Sequence, residues 1–221
     1  MKRAKSFKNW TSDEVENTFS IARVYKYPPL LDWTRDDYQL ADSLKSELET
    51  IRVDLEEKVE YLNEEELKSH YLIRIIDLIG FDEFGKYRTF LGRPLSAEKN
   101  DLLLNGVVDF MVATGKSDPD KPYFFLHERS AARYKQELKR DNNPLGQLLI
   151  AMVTAQTRNE DKKPIQGCYI LGRLVFFVLF DNDKYSVSQA FDLTNEDIFR
   201  IAGIMQKSKA YIIEQVAALG K

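Results

Sequence analysis

The sequence predicts an α/β fold in which a mixed central β-sheet is flanked by helices, with a helical extension at the N-terminus. Up to about residue 80, apolar residues recur every three or four positions, a period typical of amphipathic helices. Beyond that point, short apolar runs alternate with turn residues, as in strands, and two further helical segments interrupt them. The order of helices, strands, helix, strands and helix favours a sheet covered on both faces.

The N-terminal part, residues 1–62, is predicted as the helical extension, with one long helix over residues 35–61. Its apolar side chains step by three or four residues and form one stripe: Leu40, Leu44, Leu48, Ile51, Leu55 and Val59. Such a stripe must be covered. Either the next helix of the same chain covers it, or a second copy does so in a homodimer formed through the N-terminal helices.

Residues 63–221 are predicted as the α/β core, which forms one compact unit with the extension. A helix is expected over residues 63–79, with Gly80 at its C-terminal end, a position that glycine often occupies. The strands expected after it are Tyr87–Leu91, Leu102–Ala113, Tyr123–Glu128, Cys168–Leu171, Leu174–Asp181 and Lys184–Phe191. Helices are expected over Pro144–Gln156 and from Thr194 onward.

Composition restricts the class of protein. A net charge of -3 gives no overall attraction for nucleic acid, so binding would need a local basic patch. A single cysteine, Cys168, excludes an internal disulfide and suits a reducing cytoplasm. The longest apolar run, Leu174–Phe180, is far shorter than the ~20 residues of a membrane helix, and the basic N-terminus lacks the apolar segment of a secretory signal. We therefore expect a cytoplasmic protein without a membrane partner.

Two acidic residues accompany apolar strands. Asp109 lies inside Val-Val-Asp-Phe-Met-Val, and Glu128 ends the next predicted strand. If the two strands are neighbours, the carboxylates meet at one part of the sheet and repel each other unless a cation lies between them. A hard divalent cation with oxygen ligands, such as Mg²⁺, suits this arrangement and metal-assisted phosphodiester hydrolysis. The structural alternative is that Asp109 is a hydrogen-bonded group of the strand.

These residues resemble the PD-(D/E)XK nuclease-like superfamily, and within it a bacterial group with a recurrent four-block pattern. The blocks that match are Gly106–Asp109, His127-Glu128, Gly146–Leu149 and Pro164–Arg173, and the similarity extends from about Asn63 to Gly220. The resemblance implies a restriction-endonuclease-like core and a metal-dependent nuclease that hydrolyses DNA phosphodiester bonds with Mg²⁺ or Mn²⁺.

The resemblance also implies roles for particular residues. Asp109 and Glu128 would hold the metal ion, and an acid on the first core helix would complete the site. Glu64 is the first choice for that acid and Glu66 the second. Gln147 would extend from its helix toward the same edge of the sheet, where its amide could orient a water molecule or a phosphate oxygen.

The catalytic lysine departs from the family pattern. The superfamily places a lysine two residues after the second acid, but Glu128 is followed here by Arg129 and Ser130. Removal of residues 129–133 would restore the pattern with Lys135. The sequence therefore leaves two alternatives: either Lys135 returns to the site and catalyses, or the chain is a catalytically degenerate nuclease-fold module that binds nucleic acid or protein.

Basic residues lie on both sides of the predicted site and alternate with aromatic ones, which favours nucleic acid, and DNA in particular, as a partner. They are Lys86, Arg88, Arg93, Lys99, Arg129, Arg133, Lys135, Lys139 and Arg140. A third hypothesis, from another class, is an assembly protein that uses the stripe of its N-terminal helix.

Overall fold

The computed structural model describes residues 3–130 and 143–219; for Arg3, Glu64 and residues 125–130 the description is of the backbone alone. Within these ranges eight strands form one sheet. The strands are β1 (Arg3–Ser6), β2 (Ala22–Arg23), β3 (Arg88–Lys99), β4 (Leu102–Thr114), β5 (Asp120–Ser130), β6 (Ile165–Leu171), β7 (Leu174–Asp181) and β8 (Lys184–Asp192). The sheet is mixed, as predicted from the sequence.

Helices cover both faces of this sheet. They are α1 (Ser12–Phe19), α2 (Pro28–Trp33), α3 (Asp42–Lys58), α4 (Glu64–Leu67), α5 (Ile73–Ile79), α6 (Pro144–Asn159) and α7 (Asp197–Leu219). A π-helical segment, Lys68–Leu72, joins α4 to α5, so that the predicted helix over residues 63–79 forms with a local change of pitch. Gly80 ends it with a φ of +71°, which glycine adopts without a Cβ penalty.

The order of the main path through the sheet is β1-β4-β5-β6-β7-β8-β2. β4 is long enough for two neighbours on one side: β1 pairs along Leu102–Asn105 and β5 along Phe110–Thr114, while β3 runs antiparallel along the other side. β5 and β6 are parallel and are connected through α6, as a parallel pair requires a crossover. β6, β7 and β8 form an antiparallel meander.

Each face of the sheet packs against its own apolar core. One core contains Leu30 and Trp33 of α2 together with the apolar faces of α3, α5 and α7. The other core lies under α6 and α1, and almost every residue of α6 between Leu148 and Ala155 is fully buried. Because both faces are covered, the central strands carry apolar residues on both sides, which explains the nearly continuous apolar runs of β4 and β7.

The N-terminal part differs from the helical extension predicted for residues 1–62. It supplies two strands at the borders of the sheet, since β1 pairs with β4 and β2 pairs with β8, both in parallel. These strands have four and two residues. Such short segments carry no alternating apolar pattern, so they could not be predicted from local sequence.

The predicted helix over residues 35–61 is shorter and forms as α3. Leu40 precedes it and Val59 follows it, yet both pack on the same core as the helix. The flanking residues therefore extended the periodic pattern without being helical. The stripe is covered within the chain, because Leu48, Ile51 and Leu55 are each 0 % exposed.

A tyrosine hydrogen bond joins α3 to the π-helical segment. The Tyr71 hydroxyl donates to Asp54 Oδ2 over 2.6 Å, and the Tyr71 side chain is buried. Burial, helped by this hydrogen bond, raises the pKa of Tyr71 to about 12. An unfolded tyrosine has a pKa of about 10, so the folded state keeps its phenolic proton to higher pH than the unfolded state does.

This difference between the pKa of Tyr71 in the folded and unfolded states makes the free energy of unfolding depend on pH. The stabilising contribution of Tyr71 is fully present below pH ~10 and is lost as the pH rises toward 12. Tyr71→Phe should therefore reduce the loss of unfolding free energy per pH unit in this window, by at most about 1.4 kcal/mol per unit. Urea denaturation at several alkaline pH values measures the slope. Tyr61→Phe, at a tyrosine that is 85 % exposed, is the control and should leave it unchanged.

No helix among residues 3–130 and 143–219 is both long enough and apolar enough to cross a membrane.

Candidate functional site

The two acids singled out from the sequence lie on neighbouring antiparallel strands. Asp109 is in β4 and Glu128 is in β5, and the ladder between these strands ends with the pair Phe110 and His127. Asp109 and Glu128 are each one residue beyond this last pair of the ladder. The topology therefore brings the two acidic positions to the same part of the sheet.

Asp109 lies at an irregularity of the sheet. The ladder between β3 and β4 is interrupted between Leu91 and Arg93, so that Gly92 and Asp109 are not partners in it. Gly92 has a φ of +58°, which a residue with a side chain rarely adopts. Asp109 itself is half-buried. Its carboxylate thus belongs to a position where the regular pleat is broken.

The irregularity changes which residues of β4 face α6. Before it, Leu104 and Val108 pack in the core under α6; after it, Met111 and Ala113 do so, and Phe110 packs in the opposite core. Leu104 and Val108 have even numbers, whereas Met111 and Ala113 have odd numbers. The alternation of buried side chains on this face therefore shifts by one residue across Asp109. This shift explains why a charged residue stands in an apolar run: Asp109 occupies the point where the strand changes its buried face.

The backbone after Glu128 continues as a regular strand. Glu128, Arg129 and Ser130 pair with Tyr169, Ile170 and Leu171 of β6. Ser130 therefore occupies the strand position two residues after Glu128, where the superfamily pattern has its lysine. Lys135 lies outside the described residues.

Gln147 lies in the first turn of α6 and is 8 % exposed. Asn143 is the N-cap of this helix, and its side chain accepts a hydrogen bond of 2.7 Å from the Gly146 backbone N–H. At Gly146 a Cβ would come within 2.5 Å of the Trp10 carbonyl oxygen. The glycine of this sequence block therefore has a packing role, because it lets the segment before α1 lie against the start of α6.

The acidic turn before Tyr71 is organised as a helix start. Asn63 is the cap: its side chain accepts from the backbone N–H of Glu65 and of Glu66, and Glu66 Oε2 accepts from the Asn63 N–H over 2.8 Å. This reciprocal arrangement is a capping box. The carboxylate of Glu66, the second choice for a metal ligand, is thus engaged in capping. Glu64 is the first residue of α4.

Among the residues that the structure describes, no group of three or more His, Cys, Asp and Glu side chains is placed to hold a metal ion. The side chains of Glu64 and Glu128 are not part of that description. The predicted set of Asp109, Glu128 and Glu64 therefore stays a prediction.

Four of the basic residues predicted to contact a phosphate backbone have described side chains: Lys86, Arg88, Arg93 and Lys99. Lys86 and Arg93 pair with acidic side chains at 2.5 and 3.6 Å. Arg88 donates to a backbone carbonyl over 2.8 Å, and the Lys99 ammonium lies 5.9 Å from an aromatic ring centre. These local partners partly neutralise this side of the patch.

Two aromatic side chains beside Glu128 were not singled out from the sequence. Tyr169 of β6 and Phe176 of β7 stack with parallel rings, 4.7 Å between centres and 4° between planes. Both belong to the core under α6 or pack against it. Their positions in two apolar strands look like ordinary core positions, and only the pairing of the strands shows that they are adjacent.

No protein-family model matches the chain, and no curated protein sequence is significantly similar to it.

Proposed function

We propose that the protein is a metal-dependent nuclease-like protein of the PD-(D/E)XK type, with a restriction-endonuclease-like core, that hydrolyses DNA phosphodiester bonds. The observation that supports this proposal best is that Asp109 and Glu128 belong to neighbouring antiparallel strands, each one residue beyond the last pair of their ladder. The connection of β5 to a parallel β6 through α6 agrees with the architecture that the sequence resemblance implies.

The residues fit a divalent metal ion by their chemistry. Two carboxylates at adjacent strand positions offer the oxygen ligands that Mg²⁺ and Mn²⁺ prefer, and their mutual repulsion favours a bound cation. Glu64 is proposed as a third ligand from the first core helix. When bound, the metal would supply Lewis-acid polarisation of the phosphate and a more acidic water molecule.

Other parts of the chain have supporting roles in this proposal. Gln147 would orient a water molecule or a phosphate oxygen from the start of α6, where its backbone is fixed by the Asn143 cap. Lys135 would supply the positive charge near the scissile phosphate. The two buried cores on either side of the sheet hold β4 and β5 in place, which keeps the two strands that carry the acidic positions beside each other.

The second candidate is a catalytically degenerate module that keeps the fold and binds nucleic acid or protein. The regular pairing of Ser130 with β6 favours it, because a serine then stands where the superfamily pattern has lysine. A site that lacks one positioned charge retains metal and substrate binding more easily than catalysis.

A calorimetric titration tests the metal site. We expect wild-type protein to bind Mn²⁺, and Asp109→Asn to lose that binding while keeping its melting temperature, since the amide is a weaker ligand and leaves less negative charge. Asp118→Asn, at an acid that is 85 % exposed, is the matched control and should bind Mn²⁺ as the wild type does. Equal binding by wild type and Asp109→Asn would contradict the proposed site.

A further inference from the structure

One of the four sequence blocks has no part in the proposed function. It is Pro164–Arg173, which forms β6 and the turn that leads to β7. In the parallel pairing of β5 with β6, Tyr169 of this block is the partner of Glu128. Neighbouring strands are about 4.8 Å apart, so Tyr169 is the residue of β6 that lies closest to this acidic position.

The Tyr169 ring stands on the face of the sheet that α6 covers. The side chain belongs to the core under α6, and its ring stacks on that of Phe176 with 4.7 Å between the centres and 4° between the planes. This separation matches the spacing of neighbouring strands, so the two rings stand side by side as their strands do. Phe176 covers one face of the Tyr169 ring, and the other face is directed toward β5, where Glu128 lies.

The Tyr169 hydroxyl has no hydrogen-bond partner among the residues that the structure describes. Burial raises the pKa of Tyr169 to about 12, and the only opposing influence is the charge of Arg23. The side chain is 8 % exposed, and a tyrosine buried to this degree usually donates its proton to an acceptor. The hydroxyl is not one of the fully enclosed polar atoms that lack a partner in the described ranges, which are Trp10 Nε1, Gln166 Oε1 and Arg200 Nε. It is therefore a protonated donor that reaches the surface.

The surface opens beside this ring. Leu171, two residues further along β6, and Phe176 are both half-buried. Ala190, the partner of Phe176 in β8, is exposed and has a small side chain. An anion that lies over the acidic positions can therefore approach the hydroxyl without displacing a bulky side chain of these strands.

We propose that the Tyr169 hydroxyl donates a hydrogen bond to a phosphate oxygen of DNA that is bound at the acidic positions. This inference rests on the proposed function, since it takes DNA as the substrate, and it adds a substrate-contacting residue to the site. A hydrogen bond to a charged oxygen is stronger than one between neutral groups. Stacking on Phe176 fixes the ring in advance, so that little conformational freedom is lost when DNA binds.

Binding of labelled DNA, followed by fluorescence anisotropy with Ca²⁺ in place of Mg²⁺, tests this contact, since oxygen ligands hold both ions. Tyr169→Phe keeps the stacked ring and removes only the hydroxyl. Its Kd should rise by about 10- to 150-fold, the range for a hydrogen bond to a charged group. Tyr123→Phe is the matched control and should bind as the wild type does, because Tyr123 is a buried tyrosine of the same core near the start of β5.

Phe176→Leu tests whether the stack positions the hydroxyl. It should weaken DNA binding when Tyr169 is present and have no further effect in Tyr169→Phe, because that variant has no hydroxyl to position. Equal effects in the two backgrounds would overturn this positioning role of Phe176.

The contact and the nuclease proposal can fail separately. Tyr169→Phe should bind Mn²⁺ as the wild type does, because the hydroxyl is not a metal ligand. The contact is overturned if the wild type does not bind DNA, or if Tyr169→Phe binds it with wild-type affinity. DNA binding that depends on the Tyr169 hydroxyl in a protein without cleavage activity would support the contact and contradict the nuclease. Cleavage that is lost in Asp109→Asn but unaffected by Tyr169→Phe, with unchanged binding, would support the nuclease and overturn the contact.

Discussion

Leu48→Asp is expected to lower the free energy of unfolding by about 3–5 kcal/mol, the cost of an uncompensated buried charge. Leu48 is 0 % exposed and lies in the middle of the α3 stripe, in the apolar core where α3 packs on α7. The carboxylate would lose its water without gaining a described cation in that core. Chemical denaturation followed by circular dichroism measures the change.

Val53→Asp provides the matched control on the same helix. Val53 is 44 % exposed, so an aspartate there keeps its water and should change the unfolding free energy by no more than about 0.5 kcal/mol. If Leu48→Asp were as mild as Val53→Asp, the stripe would not be a buried element of the fold in solution. A change in mass of the wild type with concentration would instead indicate the homodimer.

Ser130→Lys is expected to raise Mg²⁺-dependent cleavage of DNA by about 10²–10³-fold if Lys135 does not reach the site. The backbone of Ser130 continues the regular pairing of β5 with β6, so the substitution places an ammonium group two residues after Glu128, as in the superfamily pattern. A rate assay with a labelled DNA substrate measures the gain. Ser130→Gln is the control, because it adds length without charge.

Lys135→Ala distinguishes the other alternative. If Lys135 supplies the charge, the variant should lose about 10²–10³-fold in rate and keep its fold, and Ser130→Lys should then add little. Deletion of residues 129–133 restores the superfamily pattern with Lys135. It should therefore raise the cleavage rate if Ser130→Lys does so, and should add little if Lys135 already supplies the charge. Strong wild-type cleavage that survives Lys135→Ala and is unchanged in Ser130→Lys would contradict both alternatives.

The elements with strong periodicity were predictable from the sequence. The stripe from Leu44 to Leu55 identified α3, and the two strands joined by an Asn-Asp turn formed the β7–β8 hairpin. Their bounds were less accurate where flanking residues, such as Leu40, share the core without sharing the helix. Periodicity records which side chains are buried, and burial alone does not require regular structure.

The borders of the sheet were not predictable in the same way. β1 and β2 are short, and β3 continues to Lys99 through Gly92 and Pro94, two residues that usually argue against a strand. The site shows the same limit. The sequence indicated Asp109 and Glu128 by their positions in apolar runs, but the adjacency of Tyr169 and Phe176 on neighbouring strands depends on strand order, which no local pattern contains.

The irregularity at Gly92 also affects how the molecule resists self-association. Among the described residues β3 pairs only with β4, so its outer side is a free edge of 12 residues, a length that could template further strands. Gly92 twists this edge and Pro94 offers no N–H, which divides it into two stretches too short to add a long foreign strand. The same break in the pleat that positions Asp109 therefore protects the protein from edge-to-edge aggregation, and a straight, valine-rich version of β3 would lose that protection.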